Sequence, residues 1–236
     1  MKTIGINGCR SGWIAISLDE ENAGYWLLET QQELEEYFAA YDRIFVDVPI
    51  GLEDKNYMRE CDELLRNRLG PDYRESVFNP PIRAALHAPT YGEASVITYE
   101  ATGKKISVEA WNMTPKIKQV DQLLQKRQEF RANVYESYPE LLFHILNGDN
   151  IILQKKATKK GLRHRLDLLK KESSYVDDFF RDIKEEYRRN QVDEDNIIDA
   201  MVLGLFALRA VDAPILSLPS DPSQDTTGLP MAIHYV

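Results

Sequence analysis

Within its first 52 residues the chain passes from short β-rich runs to one helical pattern and then to an unbroken apolar run, and few folds accept that order. Residues 2–7, 13–18 and 24–29 are the β-rich runs, separated by "GCRSG" and "DEENA". Gly, Ser, Asp and Asn in those separators predict tight turns, so the three runs read as an antiparallel meander. "TQQELEEYFAAY" (30–41) opens with Thr30 as a candidate N-cap and shows helical apolar spacing at Leu34, Tyr37 and Phe38. "RIFVDVPIGL" (43–52) stays apolar until Pro49 and Gly51. A strand buried on both faces has this composition, and a strand reached through a helix pairs in parallel. The expected core is therefore α/β: a three-strand antiparallel meander extended by parallel strands into one mixed sheet.

The remaining pattern is mostly helical. Residues 56–70 read as a helix closed by Gly70, and 71–90 as irregular chain broken by Pro71, Pro80, Pro81 and Pro89. Helices are expected at 91–102 and 108–128, a further core strand at 132–137, and a helix with Pro139 in its first turn. Residues 155–171 and 175–189 are expected to be helical, and 193–210 to form a strongly apolar helix with acids at its start. "PILSL" and "PMAIHYV" read as short strands or loop. With neither repeat nor low-complexity linker, the 236 residues suit a single domain, 1–236, carrying a mainly helical insertion at about 53–130.

Bulk properties exclude some functions. No 18-residue apolar run exists, so no membrane helix is expected. The first residues lack a basic and apolar leader, so a cytoplasmic protein is expected. Cys9 and Cys61 are isolated, without metal spacing or a disulfide framework, and are expected to be reduced and structural. A net charge of −9 opposes indiscriminate binding to polyanions. One segment runs against that balance: residues 155–171 hold eight Lys and Arg against the single acid Asp167. It reads either as a solvated helix face or as an arm contacting phosphates.

Polar residues appear where apolar elements end. Asn7 closes the first strand, Asp47 interrupts "IFVDVPI", and Glu136 closes "NVYES". Asp195 and Asp199 lie one helical turn apart and share a face. A carboxylate on a buried strand is costly to desolvate without a partner. Acids brought from separate strands and one helix make a hard-oxygen site, which suits Mg²⁺ or Mn²⁺. The plainer alternatives are N-capping for Asp193 and Asp195 and an ion pair for Glu136.

The stretches "GINGCRSGWIA", "FVDVPIGL", "RECDELLRNRLG", "SVFNPPIRAAL", "TYGEA", "GKKISVEAWNMTPKIKQVD", "YESYPELLF", "KKGLRHRLDLL" and "DEDNIIDAMVLGLFAL" run in order across nearly the whole chain. Through them the chain resembles an uncharacterised bacterial and archaeal family of predicted nucleases with a ribonuclease H-like fold. The resemblance implies a mixed sheet of the kind derived above, flanked by helices, and a metal-dependent phosphodiester hydrolase acting on DNA or RNA. It implies Asn7, Asp47, Asp199 and Asp195 as ligands of Mg²⁺ or Mn²⁺, and Asp47, Asp199 and Glu136 as the catalytic acids. Arg10, Arg83, Lys116 and Lys118 are then the residues expected to hold phosphates. Three positions depart from the family pattern: Asn7 where Asp is usual, Gln119 where Glu is usual, and Tyr138 where His is expected. All three remove ionisable chemistry or shift it out of the neutral range, so weak or absent cleavage is expected. The alternative is a non-catalytic nucleic-acid or nucleotide-binding protein that keeps the acidic cleft. A phosphate loop of the sugar-kinase and actin-like kind at "GCRSG" is disfavoured, because those proteins use two such domains in a longer chain.

Overall fold

β1 (Thr3–Cys9), β2 (Gly12–Ser17) and β3 (Gly24–Leu28) form the antiparallel meander expected from the first 29 residues. This is a computed structural model, and it describes residues 1–150, 152, 154–156 and 158–236. α1 (Gln31–Ala40) follows with Thr30 as its N-cap; Thr30 Oγ1 accepts from Glu33 N at 3.1 Å, and Thr30 N donates to the Glu33 carboxylate at 2.8 Å. That reciprocal pair satisfies two amides at the helix start. β4 (Arg43–Asp47) then joins β1 in parallel, and β5 (Val134–Glu136) joins β4 in parallel. The resulting five-stranded mixed sheet has the order β3-β2-β1-β4-β5.

The chain forms two compact units. One comprises Met1–Asp47, Ala132–Ile215 and Tyr235–Val236, and contains the whole five-stranded sheet. The other comprises Val48–Arg131 and Leu216–His234. It contains α2 (Glu60–Leu69), α3 (Tyr91–Thr102) and α4 (Val108–Lys126).

The first unit continues with α5 (Pro139–Leu146), α6 (Lys159–Leu169), α7 (Tyr175–Glu186) and α8 (Glu194–Arg209). A short two-stranded sheet of β6 (Leu216–Leu218) and β7 (Ile233–Tyr235) belongs to the second unit up to His234. α8 is apolar nearly all round because it lies across the sheet and is itself covered by α5, α6 and α7.

Strand alternation assigns the two faces. Gly5 and Asn7 of β1, Ile14 and Ile16 of β2, and Phe45 and Asp47 of β4 are register partners and share the α8 face. Gly5 is what lets α8 lie so close: a Cβ there would stand 2.0 Å from Gly204 N and 2.5 Å from Ala200 O. Trp26 leaves on the other face and packs on Tyr37 of α1, with ring centroids 5.5 Å apart. Ile4, Ile6, Trp13, Ile44 and Val46 fill the layer on that side, with Leu34 and Phe38 buried in α1.

Several boundaries differ from the sequence reading. The 43–52 run is a strand only to Asp47, since Pro49 has no amide for the ladder. Asp47 therefore ends a strand rather than interrupting one. Conversely, Asn7 does not close β1; pairing with β2 continues to Cys9↔Gly12. What ends at Asn7 is the pairing with β4. The helix expected at 56–70 begins at Glu60, and the one expected at 155–171 begins at Lys159, with residue 157 outside the described residues. No helix among the described residues is long and apolar enough to cross a membrane.

Candidate functional site

The register Asn7↔Asp47 sets two polar side chains next to each other, on adjacent strands about 4.8 Å apart and on the face covered by α8. The start of α8 is tied down there. Asp193 is the N-cap, and its amide donates to Asn196 Oδ1 at 3.1 Å. Asn196 Nδ2 reaches across to Gly8 O at 3.1 Å, and Asn7 Nδ2 donates back to the Asn196 carbonyl at 3.4 Å. With its nitrogen turned to the helix, the Asn7 amide presents its carbonyl oxygen on the side away from Asn196. One turn after this anchor comes Asp199, buried in α8.

The electrostatics tie these groups together. Asp47 is pushed up from 3.8 to about 7, first by burial and then by the charge of Asp199; Lys156 opposes the shift, and Glu136 and Glu140 add to it. Asp195 is also raised, mainly by burial. The neutralising charge is Lys156, whose Nζ lies 3.2 Å from Asp199 Oδ2. Asp199 holds that ammonium well above its ordinary range against the opposing effect of burial, with Asp47 and Glu140 behind it. The Lys156 side chain is 47% exposed, whereas the Asp199 side chain is 4% exposed, so the ammonium reaches a buried acid from the rim. Lys156, Leu162, Arg165, Asp195, Ile198 and Asp199 line a narrow cleft at this point.

The segment carrying Lys156 is itself fixed. Thr158 caps α6, accepting from Gly161 N at 3.1 Å, and its hydroxyl donates to Lys155 O at 2.8 Å. Gly161 lets α6 approach that carbonyl; a Cβ would stand 2.1 Å from Lys155 O. Arg165, almost fully buried, donates to Gln154 O at 3.1 Å and grips Glu140 of α5 at 2.6 and 3.2 Å. That bidentate pair satisfies both buried charges at once.

The expected site residues thus separate. Asn7, Asp47, Asp199 and Asp195 share one region of the first unit. Glu136 is the register partner of Val46, so its side chain leaves the sheet on the face opposite Asn7 and Asp47; its charge adds to the upward shift of Asp47. Arg10 is exposed in the β1–β2 turn and borders an open depression of about 400 Å³ with Arg189, Asn190 and Asp193. Arg83, Lys116 and Lys118 belong to the second unit. Arg83, expected to hold phosphate, is ion-paired in this structure. Its guanidinium is committed to Asp121 at 2.9 Å and to Asp225, which also accepts from the amides of Leu52 and Leu229 at 3.0 Å each. Lys116 and Lys118 are partly buried on α4.

Sequence reasoning did not single out Glu140, Arg165 or Asn196, and it took Lys156 only as one of the cations of the basic segment that could contact phosphates. Lys156 and Arg165 were hidden among eight similar cations, and only an intervening cap and turn distinguish their roles. Among the described residues no group of three or more His, Cys, Asp and Glu stands ready to hold a metal ion. Position 7, the register partner of Asp47, carries an asparagine, and Asp199 holds the Lys156 ammonium. The donors present, two carboxylates and an amide carbonyl, are hard oxygens of the type that Mg²⁺ and Mn²⁺ prefer.

No curated protein and no solved structure matches the chain. Residues 5–224 match the family described as "Protein of unknown function (DUF429)", and the chain belongs to that family.

Proposed function

We propose that this chain is a divalent-metal-dependent phosphodiester hydrolase of ribonuclease H-like fold, acting on DNA or RNA and weakened by asparagine at position 7. The observation that carries the proposal is the register Asn7↔Asp47 beneath the start of α8, with Asp199 close enough to help raise the Asp47 carboxyl to about 7. Acids raised by burial and a neighbouring like charge cluster at functional sites, where such shifts serve chemistry. The strand order β3-β2-β1-β4-β5, antiparallel then parallel, agrees with the fold proposed.

In this reading Asp47, Asp199 and the Asn7 carbonyl hold Mg²⁺ or Mn²⁺, with Asp195 at the edge of the cleft. When bound, such an ion lowers the pKa of water and stabilises a departing oxygen. The protein's own residues supply the rest. Asp47 loses its proton on binding, since a ligating carboxylate must be ionised. Asn196 holds α8 to β1 and so fixes the spacing between helix and strand acids. Arg10 and Arg189, facing the open depression, attract the phosphate backbone.

The ammonium on Asp199 favours a second reading: a non-catalytic nucleic-acid or nucleotide-binding protein whose acids are neutralised internally. Mn²⁺ titration of the purified protein, followed by cleavage of a panel of single- and double-stranded DNA and RNA, separates the two. The first reading expects saturable Mn²⁺ binding and slow cleavage, both lost in Asp199→Asn. Nucleic-acid binding without either would establish the second.

A further inference from the structure

We infer that Lys156 is a tethered cation that occupies the charge position of the acidic cleft and competes with the divalent ion for Asp199. This rests on the metal-dependent reading above and adds a residue whose removal should strengthen the site. Three observations carry it. First, Nζ sits 3.2 Å from Asp199 Oδ2, and the ammonium also feels Asp47 and Glu140, so it neutralises the same acids that a metal would. Second, the contact is built. Thr158, Gly161 and Arg165 fix the carbonyls of Gln154 and Lys155, the two residues before Lys156, and Arg165 is itself anchored by Glu140. Third, the amine comes from the rim, with 47% of its side chain exposed, so it can leave Asp199 for water without opening the core. A long side chain with three rotatable donors makes that exchange at low cost, unlike the buried guanidinium of Arg165. In the metal-free protein Lys156 keeps the buried acids from standing unneutralised; a divalent ion must displace it.

The test measures Mn²⁺ affinity by calorimetry and by the electron-spin signal of free Mn²⁺, in the full chain. Lys156→Met should bind Mn²⁺ at least tenfold more tightly than the wild type, and Lys156→Arg, which keeps the charge, should stay within about threefold of it. Gly161→Ala, which forces the Lys155 carbonyl aside, should move affinity in the same direction as Lys156→Met. In the unmutated protein, saturating Mn²⁺ should speed acetylation of Lys156 by an amine-directed reagent several-fold relative to Lys155 and Lys159, read by peptide mass. That measurement decides the matter if Lys156→Met does not fold. Equal Mn²⁺ affinity in wild type and Lys156→Met, or labelling unchanged by bound Mn²⁺, overturns the inference and leaves the metal site standing. Absence of Mn²⁺ binding in wild type and every variant overturns both.

Discussion

At the scale of single residues, position 7 and position 47 set the charge of the site. Asn7→Asp adds a carboxylate beside Asp47 and replaces the donor to the Asn196 carbonyl with an acceptor. It should bind Mn²⁺ about tenfold more tightly, or about 1.4 kcal/mol, because ligand charge tunes hard-cation affinity. Cleavage should rise with it, and the metal-free variant should melt below the wild type, since a further acid joins the cluster. No gain in affinity would mean that position 7 is not a ligand position. Asp47 governs pH dependence. Its native carboxyl titrates near 7 against 3.8 unfolded, so between those values the native state holds a proton that the unfolded state has lost. Metal-free stability should therefore fall as pH rises from about 4 to 7 and level off above, by at most about 4 kcal/mol and less where solvent reaches the cleft. Mn²⁺ affinity should rise over the same range, because binding expels that proton. Chemical denaturation at successive pH values checks the slope, and Asp47→Asn should flatten it.

At the scale of elements, the glycine contact between β1 and α8 determines where Asp199 stands. Gly5→Ala places a methyl group 2.0 Å from backbone that cannot rotate away. Overpacking of this kind costs about 3 kcal/mol or more, whereas Gly92→Ala, where a Cβ would meet only Thr90 Oγ1 at 3.9 Å, should be neutral to slightly stabilising within about 0.5 kcal/mol. Urea unfolding measures the difference, and a surviving Gly5→Ala protein should bind Mn²⁺ more weakly because α8 is displaced. α6 and the turn before it divide the basic segment by role. Lys156 and Arg165 face acids of the first unit, whereas Lys155, Lys159, Lys160 and Arg163 are exposed. Neither a solvated face nor a phosphate arm describes all of it. If the exposed cations contact nucleic acid, neutralising Lys155, Lys159 and Lys160 should flatten the slope of log affinity against log salt by up to about 3. An unchanged slope would mark them as solvated charge.

At the scale of the whole molecule, the acids fall in one unit, so metal should protect that unit selectively. Saturating Mn²⁺ at about 100 times its dissociation constant adds about 2.7 kcal/mol to whatever structure binds it. Hydrogen exchange should slow in β1, β4 and α8 and stay unchanged in α3 and α4; uniform protection would argue against a site in the first unit alone. Much of the sheet was legible in the one-dimensional pattern. Short β-rich runs with turn separators identify the meander, and an unbroken apolar run after a helix identifies a parallel partner, because burial leaves a direct trace in composition. The same logic pointed to Asn7, Asp47 and Asp199, since polar groups at the ends of apolar elements need a reason. What the pattern does not carry is which polar group meets which. Register sends Glu136 to the opposite face from Asp47, two remote acids engage Arg83, and a cap, a glycine contact and a buried arginine select Lys156 from eight similar cations. A cation's sequence neighbours are compatible with either solvent or an acid, and only the folded backbone, through distances that depend on residues 25 to 188 positions apart, chooses between them.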